Sequence, residues 1–178
     1  MLVRRFTLVN GWQAVFMLFL VVLGTGCGFE LNRNQVSLPG GAVSLGLNPI
    51  SNQTYIAGLD LDLGNELGLL LARNHIPLES PKSADLVLQI EINASSHSRQ
   101  DLSIYNNQTY KFVFVHQAKV TLSDNRKSQI WINQAPVEGH FDLETSHTEL
   151  SDEETRRGRT KATESLADAI ATKLSQNF

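Results

Sequence analysis

The chain has 178 residues, with 15 Lys and Arg against 18 Asp and Glu, a formal net charge of −3, and a single cysteine. That acidic balance argues against nucleic acid as a partner, because neutralising phosphates needs a basic surface. One cysteine excludes an internal disulfide, so the fold has to hold by packing.

The amino-terminal stretch comes first. Arg4 and Arg5 precede an unbroken apolar run at 14–23, AVFMLFLVVL, followed by Gly24, Thr25 and Gly26. A charged start, a short apolar core and a small-residue exit form the pattern of a secretory signal. The run is shorter than the ~20 apolar residues that span a hydrocarbon core. An uncleaved anchor is the alternative. Cys27 follows the small residues directly, and Gly26-Cys27 resembles the end of the bacterial lipobox, with Leu23 four residues before the cysteine rather than three. A lipobox implies thioether lipidation of Cys27, cleavage before it and acylation of the new amino terminus. A free thiol or an intermolecular disulfide is the other use for a lone cysteine. Acylation accounts better for an unpaired thiol in an oxidising compartment. The expected organisation is a lipoprotein signal at 1–26, a lipidated cysteine and turn-rich tether at 27–41, and one domain at 42–178.

Within that domain, Val43, Leu45 and Leu47 alternate with small or polar residues, a strand that Pro49 ends. From Gly58 the period changes to helical: Leu59, Leu63, Leu67, Leu70, Leu71 and Asn74 form a stripe, Asp60 and Asp62 suit the helix start, and Pro77 stops it. Leu86, Leu88, Ile90 and Ile92 alternate with Gln89, Glu91 and Asn93 in a half-buried strand. The polar stretch SSHSRQD at 95–101 reads as a connection. Tyr110, Phe112, Phe114, Ala118, Val120 and Leu122 line one face of the next strand, 109–124. Asp124 and Asn125 turn the chain into a third, 127–144, broken at Pro136. Ser151 and Glu154 make a capping box for a terminal helix, with Ala162, Leu166, Ile170 and Leu174 inward. The order β-α-β-β-β-α predicts an α+β two-layer sandwich: a four-stranded, largely antiparallel sheet with two helices packed on one face.

Catalytic signals are weak. His97 lies among Ser95, Ser96 and Ser98 near Asp101, residue types of a triad placed in a polar segment. His140, Asp142 and Glu144 share a strand face and suit a metal, yet they equally suit the wet side of an edge strand. His116 falls on the apolar face and reads as a satisfied core or rim histidine. LPGG at 38–41 sits between no strand and helix, so it is a turn rather than a phosphate loop. No catalytic residue, metal site or cofactor is expected. Arg99, Arg126 and Lys127 are cations at strand ends and are the candidate contacts for an anionic ligand. Tyr105 and Tyr110 are candidate rim residues.

The start CGFEL at 27–31, the Leu38-Pro39 step in the tether and the ADLVLQI strand at 84–90 resemble the lipopolysaccharide-assembly lipoprotein family (LptE). The order of elements across the rest of the chain is also similar. The resemblance implies a non-catalytic lipoprotein on the periplasmic side of the outer membrane. It would act as plug and folding partner of a β-barrel translocon (LptD-like) and bind lipopolysaccharide. A lipoprotein regulator of a peptidoglycan synthase is the rival class. It usually carries a much longer linker, because it reaches across the periplasm.

Overall fold

The computed structural model describes residues 36–104 and 107–176. The signal, Cys27, the first part of the tether and Tyr105 lie outside the described residues. After a 3-10 turn at Pro39–Gly41 the chain forms β1 (Leu45–Leu47), β2 (Ser51–Asn52), α1 (Leu59–Arg73), β3 (Leu78–Glu79), β4 (Leu86–Ile104), β5 (Asn107–Asp124), β6 (Gln129–Thr145) and α2 (Asp152–Ser175).

The α+β sandwich is present, with a sheet of six strands rather than four, in the order β3-β1-β4-β5-β6 and with β2 also on β4. Two physical reasons account for the extra strands. The first expected strand is interrupted around Pro49, so β1 and β2 lie on β4 one after the other. Leu78 and Glu79 leave α1 alongside β1 and add β3. These short strands pair in parallel, whereas β4, β5 and β6 form an antiparallel meander. A second correction concerns 95–101. This polar stretch is no connection but part of the 19-residue β4, paired with β5 out to Ile104. The register shifts between Ile92 and Ala94, which marks a bulge at Asn93. The bulge exchanges the two faces of β4: Leu88, Ile90 and Ile92 face the helices before it, and Ser95, His97, Arg99 and Asp101 share that side after it.

Both helices cover one face of the sheet. Leu59, Leu63, Leu67 and Leu71 of α1 and Leu166, Ile170 and Leu174 of α2 are buried against Leu45, Leu86, Leu88, Ile90 and Ile92. A second cluster at the far end joins Tyr110, Phe112, Phe114 and Ala162 with Phe141, Leu143 and Leu150. Two glycines let α2 lie close. A Cβ on Gly139 of β6 would strike the helix backbone at Leu166, and one on Gly158 of α2 would strike the Phe114 ring. Pro136 does not break β6, because β6 is the sheet's outer strand and the missing N–H costs no ladder bond on its open side.

The helix ends follow their sequence. Ser151 Oγ accepts from the Glu154 N–H and the Glu154 carboxylate accepts from the Ser151 N–H, the reciprocal pair read from the sequence. Helix α1 starts after Gly58, which sits in the left-handed region (φ 82°) with no capping side chain. It ends at Asn74, whose amide donates to Leu70 O (2.8 Å) and whose carbonyl accepts from Val36 N (3.1 Å), tying the lead-in segment to the domain.

Candidate functional site

The three expected cations do not form one site. Arg126 and Lys127 lie in the β5–β6 turn, while Arg99 sits opposite Phe112 on β4. The 12 steps of β5 from Phe112 to Asp124 span about 40 Å at ~3.3 Å per residue. Arg126 is also engaged. Its guanidinium bonds the buried Asp124 carboxylate (Nε 3.3 Å, Nη2 3.2 Å), lies 3.7 Å from Asp85 and reaches Gly40 O at 3.4 Å. Beside this guanidinium the Asp124 carboxyl is held at about 2. The group fastens the hairpin turn to the lead-in loop and to the start of β4, so an incoming anion competes with two carboxylates already on Arg126. Lys127 is exposed, and only its N–H joins this cluster, donating to Asp124 Oδ1 at 3.2 Å.

Arg99 belongs to the other end. Its Nε is 3.2 Å from Asp101, its Nη1 donates to Thr148 O (3.0 Å), and its guanidinium lies 5.4 Å from the centre of the Tyr110 ring. Next to it, His97 stacks on Phe114 with ring centres 5.6 Å apart. Among the described residues no hydrogen bond joins the His97 ring to a Ser or Asp, so the triad types close in sequence are not joined into a relay. The serine that does meet a histidine is Ser95, 2.8 Å from His116 Nδ1. His116 Nε2 lies 3.2 Å from Arg159 O. A carbonyl only accepts, so Nε2 carries the proton and Nδ1 accepts from the Ser95 hydroxyl. Burial pushes the His116 pKa down, which keeps this ring neutral. It is the satisfied core histidine expected from its place on the apolar face. Asp142, expected beside His140 and Glu144, instead pairs with Lys111 across the β5–β6 ladder at 2.6 Å. Among the described residues no three His, Cys, Asp or Glu side chains converge on a metal position.

Two clefts flank the first turns of α2 and share Thr155. One, of about 380 Å³, is open and lies between His97, Arg99 and Phe112 of the sheet and the segment Thr148–Leu150. The other, of about 400 Å³, lies between the start of α1 and α2, with Arg156 and Arg159 on its wall. Sequence reasoning missed this second pair. The signal was the RRGR run at 156–159, which reads as part of the solvated face of an amphipathic helix. Spacing of three places Arg156 and Arg159 on one side of α2. Neither guanidinium has an ion-pair partner among the described residues.

No family model matches the chain, and no curated protein matches it. Solved structures do share the fold. A homolog of neuraminyllactose-binding hemagglutinin from Helicobacter pylori superposes with a TM-score of 0.53 at 12% identity, over 79% of this chain and 86% of that one. A minor lipoprotein from Acinetobacter baumannii gives 0.47 at 14% identity, over 75% and 93%. Rare lipoprotein B from Shewanella oneidensis gives 0.43 at 16% identity, over 74% and 92%. At these identities the likeness concerns the fold alone. Among the described residues no helix is long and apolar enough to cross a membrane.

Proposed function

We propose that the protein is an outer-membrane lipoprotein, anchored on the periplasmic side by acyl chains on Cys27. It assists lipopolysaccharide assembly at the cell surface as plug and folding partner of a β-barrel translocon (LptD-like). The observation that carries this reading is the pairing of CGFEL at 27–31 with a domain whose main elements run β1, α1, β4, β5, β6, α2. The tether length agrees with it. Eight residues separate Cys27 from Val36, whose N–H is held at the end of α1, and the nine Cα steps reach at most about 30 Å. A partner in the same membrane is within that reach, and one across the periplasm is not. Three acyl chains at about 0.8 kcal/mol per buried methylene make such an anchor stable, where a single chain binds only marginally.

A mild-detergent pull-down of the tagged, lipidated chain, with partners identified by mass spectrometry, tests the proposal. Recovery of a large outer-membrane β-barrel at near-equal amounts is the expected result. Recovery of a peptidoglycan synthase instead would move the protein to the regulatory class. The Cys27→Ala variant should leave the membrane fraction when the barrel is absent, and its retention there would remove the lipid anchor.

A further inference from the structure

We propose that the cleft between α1 and α2 binds a phosphorylated sugar. Arg156 and Arg159 take the phosphate, while Asp62 and Asp152 accept from the sugar hydroxyls. The inference rests on the lipopolysaccharide reading for the source of that sugar, though not for the chemistry of the cleft.

The walls contain two kinds of unspent polar group. Arg156 and Arg159 line, from one side of α2, a concavity in which no carboxylate of the described residues comes within 4.0 Å of either. Paired guanidiniums with free forks match the oxygens of a phosphate. Asp62 and Asp152 line the same cleft and form no ion pair with them. A bare anion would be repelled by those carboxylates. A ligand that adds hydroxyl donors to its phosphate satisfies both sets, and the Thr155 and Thr160 hydroxyls, on the same wall, both donate and accept.

Shape and floor agree. About 400 Å³ lies at the lower end of the range for small-ligand sites, ~300–1,000 Å³. Ile56 and Ala57, beside the buried Leu59, supply apolar surface for the C–H face of a ring. Leu59 is also the first residue of α1, so the positive end of that helix borders the cleft.

Arg157, between the two arginines in sequence, is exposed and does not line the cleft, which makes it the internal control. Titration calorimetry of the full chain in detergent against glucosamine 1-phosphate and against lipopolysaccharide tests the assignment, with circular dichroism on each variant. Loss of two charge-assisted contacts in the Arg156→Gln/Arg159→Gln double variant should weaken both ligands at least about tenfold. Arg157→Gln should leave both near the parent value. Equal weakening by Arg157→Gln would reduce the effect to general surface charge and overturn the site. Unchanged binding in the double variant would also overturn it, while lipopolysaccharide binding by the parent chain would leave the assembly role standing. Variant-sensitive binding of glucosamine 1-phosphate with none of lipopolysaccharide would keep the site and overturn lipopolysaccharide as its source. Absence of binding to either probe would overturn the site.

Discussion

Toward Leu86 and Asp124 the β4–β5 pair sends Leu86, Leu88, Ile90 and Ile92 under both helices. Beyond Ile92 the same face of β4 carries Ser95, His97, Arg99 and Asp101. Strand β5 keeps its parity throughout, passing from Leu122, Val120 and Ala118 to His116, Phe114, Phe112 and Tyr110. The near half is therefore an aliphatic core closed on itself. The far half is an aromatic floor beside a polar strand, roofed by the first turns of α2 and by the Thr148–Leu150 segment. One inserted residue separates an interior that is aliphatic on β4 from one in which β4 turns polar side chains inward.

Substitutions on each side of that boundary test the contrast. Gly139, opposite His116 near the boundary, has the helix backbone where its Cβ would stand. Gly139→Val should cost more than about 3 kcal/mol, beyond ordinary overpacking, because backbone cannot turn aside as a side chain can. A melting temperature close to the parent's would show that α2 lifts freely from β6. In the near half, Leu88→Ala empties a fully buried site and should cost about 3 kcal/mol in urea unfolding. Its far-half counterpart, Ser95→Ala, strands a buried imidazole nitrogen and should cost about half as much. Equal costs would break the distinction between the halves.

Acid should reach the halves in separate steps. Protonating His116 is disfavoured in the folded state, so its contribution to stability is whole above the unfolded value of about 6.5 and shrinks as pH falls below it. Asp124, held at about 2 by Arg126, contributes fully above about 4 and loses that contribution as pH falls through 2. Asp124→Asn should lower the melting temperature at neutral pH and flatten its dependence between about pH 4 and 2. An unchanged acid profile would show that the clamp contributes nothing. The smallest effect is expected at Ser151→Ala, about 1 kcal/mol from the lost cap of α2. Chemical denaturation of the capped and uncapped chains measures it.

The near half was legible in the sequence because its periods are clean: Leu86–Ile92 at two, and Leu59–Leu71 and Ala162–Leu174 at the helical period. The far half was not. Ser95, His97 and Arg99 are polar on the face that turns inward, so alternation vanishes, and a bulge at Asn93 leaves no mark in hydropathy. Strands of two residues such as β2 and β3 are below any periodic signal. Of the expected cations, Arg126 looked available because Asp85 is 41 residues away along the chain, and only the fold brings it near. Arg156 and Arg159 were hidden by a helix whose outer face is expected to be charged; what singles them out is the neighbouring start of α1, a tertiary fact.

The parallel seating of β1 on β4 has a kinetic side. The β4–β5–β6 meander pairs strands that follow one another directly, so its pairing can start between residues close in sequence, Ile104 with Asn107 and Asp124 with Gln129. Leu45 meets Leu86 only across 40 intervening residues, which contain all of α1. Low contact order and fast hairpin closure put the meander first and the seating of β1 last. Pulse-labelled hydrogen exchange during refolding should find Val120 protected before Asn48, whose N–H donates to Leu88 O of β4 at 3.0 Å, and simultaneous protection would refute that order. The last strand to dock is the one nearest Cys27, so on this order the chain completes its fold at its amino-terminal side.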